Sequence, residues 1–148
     1  MAQQLLAKAI CPRTPHAVIH CYVADSDPFS CHLLADAIAR DPGAVVVGTA
    51  SDERTMLNDM RELHPDALFV DVRLSSDSRS AQASGGAELP WCVVLVGAMA
   101  ADAASALTRD ATDFVLKPCS RARIITALDR VRRRMDERAI SAGARLAK

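Results

Sequence analysis

The sequence predicts an α/β protein built on a doubly wound, five-stranded parallel sheet. Short apolar runs alternate along the chain with segments whose apolar residues have helical spacing. Parallel strands need crossover connections, and helices are the usual crossovers, so this alternation favours a sheet with helices on both faces. At 148 residues, the chain has room for one hydrophobic core but is too short for two comfortable domains.

The five predicted strands are short apolar runs rich in β-branched residues, which is typical of strands buried on both faces. Their lengths suit buried strands better than helices. The predicted strands are Ala17 to Ala24, Val45 to Ala50, Ala67 to Val70, Cys92 to Val96 and Phe114 to Leu116.

Helical spacing of apolar residues occurs in four of the intervening or following segments. The positions are Phe29, Leu33, Leu34, Ala37 and Ile38; Met56, Leu57, Met60 and Leu63; the alanine-rich stretch from Ala100 to Leu107; and Ile124, Ile125, Leu128, Val131 and Met135. The remaining connection, between Val72 and Leu89, is rich in serine and contains Gly85 and Gly86. We therefore expect a loop there, with at most a weak or irregular third helix.

The predicted domain covers residues 16–138. Residues 1–15 are an N-terminal extension without the long apolar region of a signal peptide or membrane-spanning helix, and residues 139–148 are a C-terminal tail or the start of a linker.

Lys plus Arg and Asp plus Glu both total 18, so the overall charge does not call for a nucleic acid or a membrane partner. The five cysteines form no CxxC pair, which favours a cytoplasmic location.

Three charged residues follow predicted strands and are expected to converge. Asp25, Asp71 and Lys117 all stand at carboxyl ends of strands, which meet at one edge of a parallel sheet. Carboxylate oxygens suit Mg²⁺, an ammonium pairs with phosphate oxygens, and a central carboxylate can attack a phosphoryl donor. A cis bond before Pro118 would aim the lysine into this pocket.

Each of these residues also has an ordinary structural interpretation. Asp25 or Asp27 is suited to cap the helix that begins near Pro28, and for Asp27 the cap is the preferred interpretation. Asp71 is equally compatible with a loop position after a strand, and Lys117 with a free surface charge. The spacing of these residues alone therefore does not decide between a phosphoryl-binding pocket and ordinary structural roles.

The motifs around these residues resemble the receiver domain of two-component response regulators. The matching pieces are "VADSDP" after the first strand, "ALFVDVRL" around Asp71 and "ATDFVLKP" ending at Lys117 and Pro118. The pattern is most similar to the receivers of LytTR-type regulators and extends over residues 17–135. The resemblance implies a flavodoxin-like receiver fold that functions in signal transduction rather than as an enzyme.

The resemblance also implies a role for each site residue. Asp71 is the expected phosphoacceptor and Lys117 the lysine that pairs with the phosphoryl group. Asp25 and Asp71 are expected to bind Mg²⁺, with Asp27 at a more variable acidic position. Phe114 falls at the position of an aromatic switch residue, and Ala98 at that of a small residue beside the phosphoryl group.

Two site positions depart from the family pattern. Ser26 stands where the family usually has a second acid, and a neutral hydroxyl is a weaker ligand for Mg²⁺. Gly97 replaces the usual Ser or Thr whose hydroxyl binds the phosphoryl group. In the loop that follows Asp71, Ser75 and Arg79 replace a usual proline and glycine. We therefore expect Mg²⁺-dependent phosphorylation to be weakened or lost. The double substitution Ser26→Asp with Gly97→Thr should restore it, provided that the loop after Asp71 leaves the pocket open.

Two other functions stay open. The departures are compatible with a receiver-like module that binds a protein partner without phosphate chemistry. The "DSD" motif also resembles the opening of aspartate-nucleophile phosphohydrolases, although the further acidic motifs of those enzymes are missing.

The resemblance implies several partners. A histidine kinase or phosphotransfer protein would supply the phosphoryl group, and a DNA-binding output domain for transcription regulation would lie outside this chain. We also expect a homodimer through the fourth predicted helix, the fifth strand and the last helix, in which arginines pair with aspartates of the second copy. These are Arg121, Arg123, Arg130 and Arg133 on one side and Asp102, Asp110 and Asp113 on the other.

Overall fold

The computed structural model describes residues 17–74, 90, 92–104 and 110–146. These residues contain a parallel sheet with strand order β2-β1-β3-β4-β5. The predicted five-stranded parallel sheet is confirmed, and each strand lies within two residues of its predicted bounds. The strands are β1 (Ile19–Ala24), β2 (Ala44–Ala50), β3 (Ala67–Asp71), β4 (Cys92–Gly97) and β5 (Asp113–Leu116).

Three helices are described in full, α1 (Pro28–Ala39), α2 (Glu53–Leu63) and α3 (Arg121–Leu146). Proline opens α1, where its missing N–H costs no helical hydrogen bond. Asp52 caps α2 by accepting from the Thr55 N–H at 2.7 Å.

Parts of the predicted chain organisation lie outside the described residues. These are residues 1–15, nearly all of the predicted weak helix between Val72 and Leu89, and the end of the predicted fourth helix. The fourth helix is described up to residue 104, where i→i+3 bonds from Asp102, Ala103 and Ala104 form a first turn. Residues 139–146 continue α3 and are exposed, so this part of the predicted tail is helical.

The hydrophobic core lies on both faces of the sheet. One cluster packs alternate residues of β1, β3 and β4 against α1 and α3 and includes Val23, Phe69, Val94, Leu34 and Leu128. The opposite face packs against α2 and includes Tyr22, Leu68, Leu95, Met56 and Met60. Every residue of β3 is buried because helices cover this central strand on both sides, which explains its unbroken apolar run before Asp71.

The strand order reverses direction at β1. From β1, the chain crosses first to β2 on one side and later to β3 on the other. Ligands of doubly wound sheets bind outside the carboxyl ends of the strands at such a switch point. In the described part of the chain, no helix is both long enough and apolar enough to cross a membrane.

Candidate functional site

Two aspartates end the neighbouring strands β1 and β3 at the switch point. Asp25 directly follows β1, and its N–H donates to the Ala50 carbonyl at 3.0 Å. Asp71 is the last residue of β3. Both residues are only 1% exposed. A buried carboxylate is costly unless polar or charged groups pair with it, so the partners of these two acids define the site.

Lys117 is the partner that the two aspartates share. Its Nζ donates to Oδ2 of Asp25 and to Oδ2 of Asp71, at 2.6 Å in each case. Its side chain is 17% exposed, so Lys117 is not a free surface charge. The peptide bond between Lys117 and Pro118 is cis. The structure thus brings together the three charged residues that follow the strands, as the strand-end argument expects.

The pKa values of Lys117 and Asp71 shift in opposite directions. Burial alone would lower the pKa of Lys117, but hydrogen bonds to Asp25 and Asp71 raise it above its ordinary value. Burial alone would raise the pKa of Asp71, but hydrogen bonds from Lys117 and Arg73 lower it. At neutral pH the lysine is therefore protonated and Asp71 is ionised, which is the nucleophilic form of a carboxylate.

Arg73 is a second cation at Asp71, and it is not among the site residues that the sequence pattern predicts. Its backbone N–H donates to Asp71 Oδ1 at 2.8 Å, and its side-chain Nε donates to the same oxygen at 3.3 Å. A turn closed by the bond from the Leu74 N–H to the Asp71 carbonyl brings the arginine back over the strand end. The sequence feature that could have indicated this contact is the position of Arg73, a basic residue two positions after Asp71.

Ser26 and Asp27 have different roles at the start of α1. Asp27 caps the helix, because its carboxylate accepts from the Phe29 N–H at 3.1 Å and from the Ser30 hydroxyl at 2.8 Å. These bonds, that from Ser30 foremost, lower the pKa of Asp27. The Asp27 N–H in turn donates to Asp25 Oδ1 at 2.9 Å. The preferred cap interpretation of Asp27 is confirmed, while Ser26 is exposed.

Asp102 fills the space beside Gly97, at the end of β4. A Cβ atom on Gly97 would lie 2.8 Å from Asp102 Oδ2 and 3.1 Å from Cε2 of Phe114. The Asp102 carboxylate also accepts from the Met99 N–H at 3.3 Å. The ring of Phe114 is therefore packed inward against Gly97, and Ala98 is exposed next to it.

This packing changes the expectation for the substitution Gly97→Thr. The family pattern predicts that Gly97 lacks a hydroxyl that threonine would restore. In the structure, a Cβ at this position meets the Asp102 carboxylate and the Phe114 ring, so Asp102 must move first. Gly97→Thr therefore requires the Asp102 side chain to shift, and rescue by this substitution stays a prediction.

The oxygen donors at this edge do not fit a tight Mg²⁺ site. Asp25 and Asp71 are suitable ligands, but Asp27 is committed to the helix cap and Ser26 offers only a neutral hydroxyl. Every oxygen of the two buried carboxylates already accepts a hydrogen bond. Among the described residues, no group of three or more His, Cys, Asp or Glu is arranged to hold a metal ion.

The predicted pairing of charges between two copies also needs correction. Asp113 has a buried side chain whose partners belong to the same chain, namely Arg123 at 2.7 Å and Arg130. Burial alone would raise the pKa of Asp113, but hydrogen bonds to Arg123 lower it. Arg134 likewise reaches Asp110 at 3.1 Å. Asp113 is therefore buried and paired within its own chain, so it is not the exposed partner that the prediction assumed, while the homodimer itself stays a prediction.

Comparison with known proteins identifies the family. The profile of the response regulator receiver domain matches residues 21–129. This match covers most of the chain and includes both site aspartates and Lys117. The chain therefore belongs to the response regulator receiver domain family of two-component signalling proteins.

Known relatives agree with this assignment. The chain is 26% identical over 121 residues to the sensory transduction protein LytT of Enterococcus faecalis, covering 80% of this chain and 50% of that protein. It is 31% identical over 105 residues to a protein-glutamate methylesterase/protein-glutamine glutaminase of Symbiobacterium thermophilum, covering 68% and 29%. The chain thus spans half or less of the length of these curated relatives.

Solved structures share the fold. The signal receiver domain of NarL from Mycobacterium tuberculosis is 27% identical with a TM-score of 0.64, covering 78% of this chain and 96% of that chain. The response regulator domain of Thermotoga maritima CheB is also 27% identical, with a TM-score of 0.65, covering 80% and 97%. The predicted flavodoxin-like receiver fold is confirmed.

Proposed function

We propose that this chain is an atypical receiver in which Asp71 is the phosphoacceptor and phosphorylation that depends on Mg²⁺ is weak or lost. At the switch point of the sheet, Lys117 Nζ donates to Oδ2 of Asp25 and to Oδ2 of Asp71, at 2.6 Å in each case. This bridge is the observation that carries the proposal. It leaves an ionised, buried carboxylate beside a fixed ammonium. Such a pair suits a phosphoryl group, because the carboxylate forms the acyl phosphate and the ammonium pairs with its oxygens.

The weak phosphorylation follows from three neighbours of Asp71. Ser26 supplies no charge for a metal ion, Arg73 occupies Asp71 Oδ1, and Gly97 offers no hydroxyl to a phosphoryl group. In this proposal Mg²⁺ is a weak cofactor, Phe114 is the switch residue, and Ala98 lies beside the phosphoryl group.

Intact mass spectrometry after treatment with acetyl phosphate and Mg²⁺ tests this proposal. We expect little phosphorylated wild-type protein, more from Ser26→Asp, and none from Asp71→Asn. Asp36→Asn is the matched control, because it removes an exposed aspartate of α1 that pairs with Arg40, away from Asp71. Stoichiometric phosphorylation of the wild type on Asp71 would show that the departures do not weaken the site.

A second candidate function is a receiver-like module that binds its partner without phosphate. The packing of Asp102 and Phe114 against Gly97 favours it, because Phe114, the expected switch residue, is already packed against its own chain. A phosphohydrolase is not proposed, since the family to which the chain belongs consists generally of signalling domains rather than enzymes.

The proposed partners follow from the family. A histidine kinase or phosphotransfer protein would act on Asp71, and a DNA-binding output domain outside this chain would regulate transcription. We place this function in the cytoplasm, in agreement with the four described cysteines, all of which are free thiols. A homodimer through the predicted fourth helix, β5 and α3 would need charge pairs other than those of Asp113.

A further inference from the structure

The charges around Asp71 balance without a metal ion. Asp25 and Asp71 contribute two buried negative charges, and Lys117 and Arg73 contribute two positive charges within hydrogen-bonding distance. Among the described residues, exposed Asp27 is a further acid nearby, and its oxygens cap α1. A divalent cation at Asp71 would therefore meet two cations already bound to the oxygens that it needs.

The two cations are held differently. Lys117 is mostly buried and makes two contacts of 2.6 Å. Arg73 has a side chain that is 67% exposed, and its Nε makes one longer contact of 3.3 Å. An exposed ion pair of this kind is weak and easily broken, so Arg73 is the cation that can leave the site.

We infer that Arg73 is an internal cation that competes with Mg²⁺ for the Asp71 carboxylate and so makes the site selective against divalent metal ions. The inference rests on the proposed function only in taking Asp71 as the site's central carboxylate. The Arg73 side chain donates to Oδ1, which is the Asp71 oxygen that Lys117 does not contact. With the arginine in place, the two buried carboxylates are matched by two cations, and a metal ion must displace the Arg73 side chain before it can bind to Oδ1.

The test is a titration of the full chain with MgCl₂ at constant ionic strength, followed by amide chemical shifts of Asp71 and its neighbours. We expect Arg73→Gln to lower the Mg²⁺ dissociation constant about threefold to fivefold, because it removes both the competitor and a repelling charge. Arg73→Lys keeps the charge and should stay near the wild type. Arg40→Gln is the matched control, since it removes an exposed arginine from the opposite end of α1.

The outcomes separate this inference from the proposed function. Equal Mg²⁺ affinities for the wild type and Arg73→Gln would overturn the role of Arg73, even if Ser26→Asp bound the ion more tightly. A gain that Arg40→Gln reproduced would also overturn it, because the effect would then reflect net charge. The proposed function fails on a different measurement, the stoichiometric phosphorylation of wild-type Asp71.

Discussion

Lys117 is the residue on which the site depends most. It is the only described partner of Asp25 Oδ2 and Asp71 Oδ2, and both carboxylates are buried. Removing one member of a buried ion pair leaves an uncompensated charge, which is far more costly than the net contribution of the pair. The chemistry and the stability of the carboxyl edge therefore rest on the same ammonium group.

We expect Lys117→Met to lower the free energy of unfolding at pH 7 by about 3 kcal/mol, because it leaves two buried carboxylates without their cation. Urea unfolding followed by circular dichroism measures the loss. Adding Asp25→Asn to the same chain should recover part of it, since one of the two charges is then gone. An unchanged loss in the double variant would mean that lost packing, not charge, is the cause.

At the scale of elements, the sequence predicts strands and strand ends well. Strand β3 is recognisable because both of its faces are buried, which makes its apolar run continuous up to Asp71. The convergence of Asp25, Asp71 and Lys117 follows from the same reasoning, since parallel strands place their carboxyl ends at one edge. These features depend on the local pattern and on a general rule of topology.

Contacts made by loops could not be predicted in the same way. The position of Asp102 beside Gly97 depends on how the chain turns after β4, and that of Arg73 depends on the turn after β3. The pairing of Asp113 with Arg123 and Arg130 depends on which turn of α3 lies against β5. The sequence reveals these charges, but several partners are available to each one.

The contact between Asp102 and Gly97 leads to a prediction about the end of β4. We expect Gly97→Thr to destabilise the protein by about 1–3 kcal/mol, because the new side chain meets Asp102 and Phe114 in a packed space. Asp102→Ala in the same chain should recover much of this loss. A double-mutant cycle measured by urea unfolding gives the coupling between the two positions. Additive effects would show that Asp102 does not restrict position 97.

At the scale of the whole molecule, stability in acid depends on carboxylates whose pKa values are lowered by folding. In both Asp71 and Asp113, burial alone would raise the pKa, but hydrogen bonds to Lys117 and Arg123, respectively, lower it below the ordinary value of 3.8. The unfolded chain therefore binds more protons than the folded chain below this pH, and stability is lost there. Lys117 acts at alkaline pH, because folding raises its pKa above the ordinary value of 10.5. Its contribution to stability is complete below pH 10.5 and is lost as the pH rises through the pKa of the folded state.

We therefore expect the free energy of unfolding to change little near neutral pH and to fall steeply below about pH 4. Asp113→Asn should cost about 2 kcal/mol at pH 7, because Arg123 and Arg130 lose a buried anion. This difference should shrink in acid, where the wild-type Asp113 also becomes neutral. Asp36→Asn removes an exposed partner of Arg40 and should cost less than about 0.5 kcal/mol at every pH. Urea unfolding between pH 2.5 and 7 measures all three proteins, and a gap for Asp113→Asn that stayed constant across this range would mean that the charge of Asp113 does not govern acid stability.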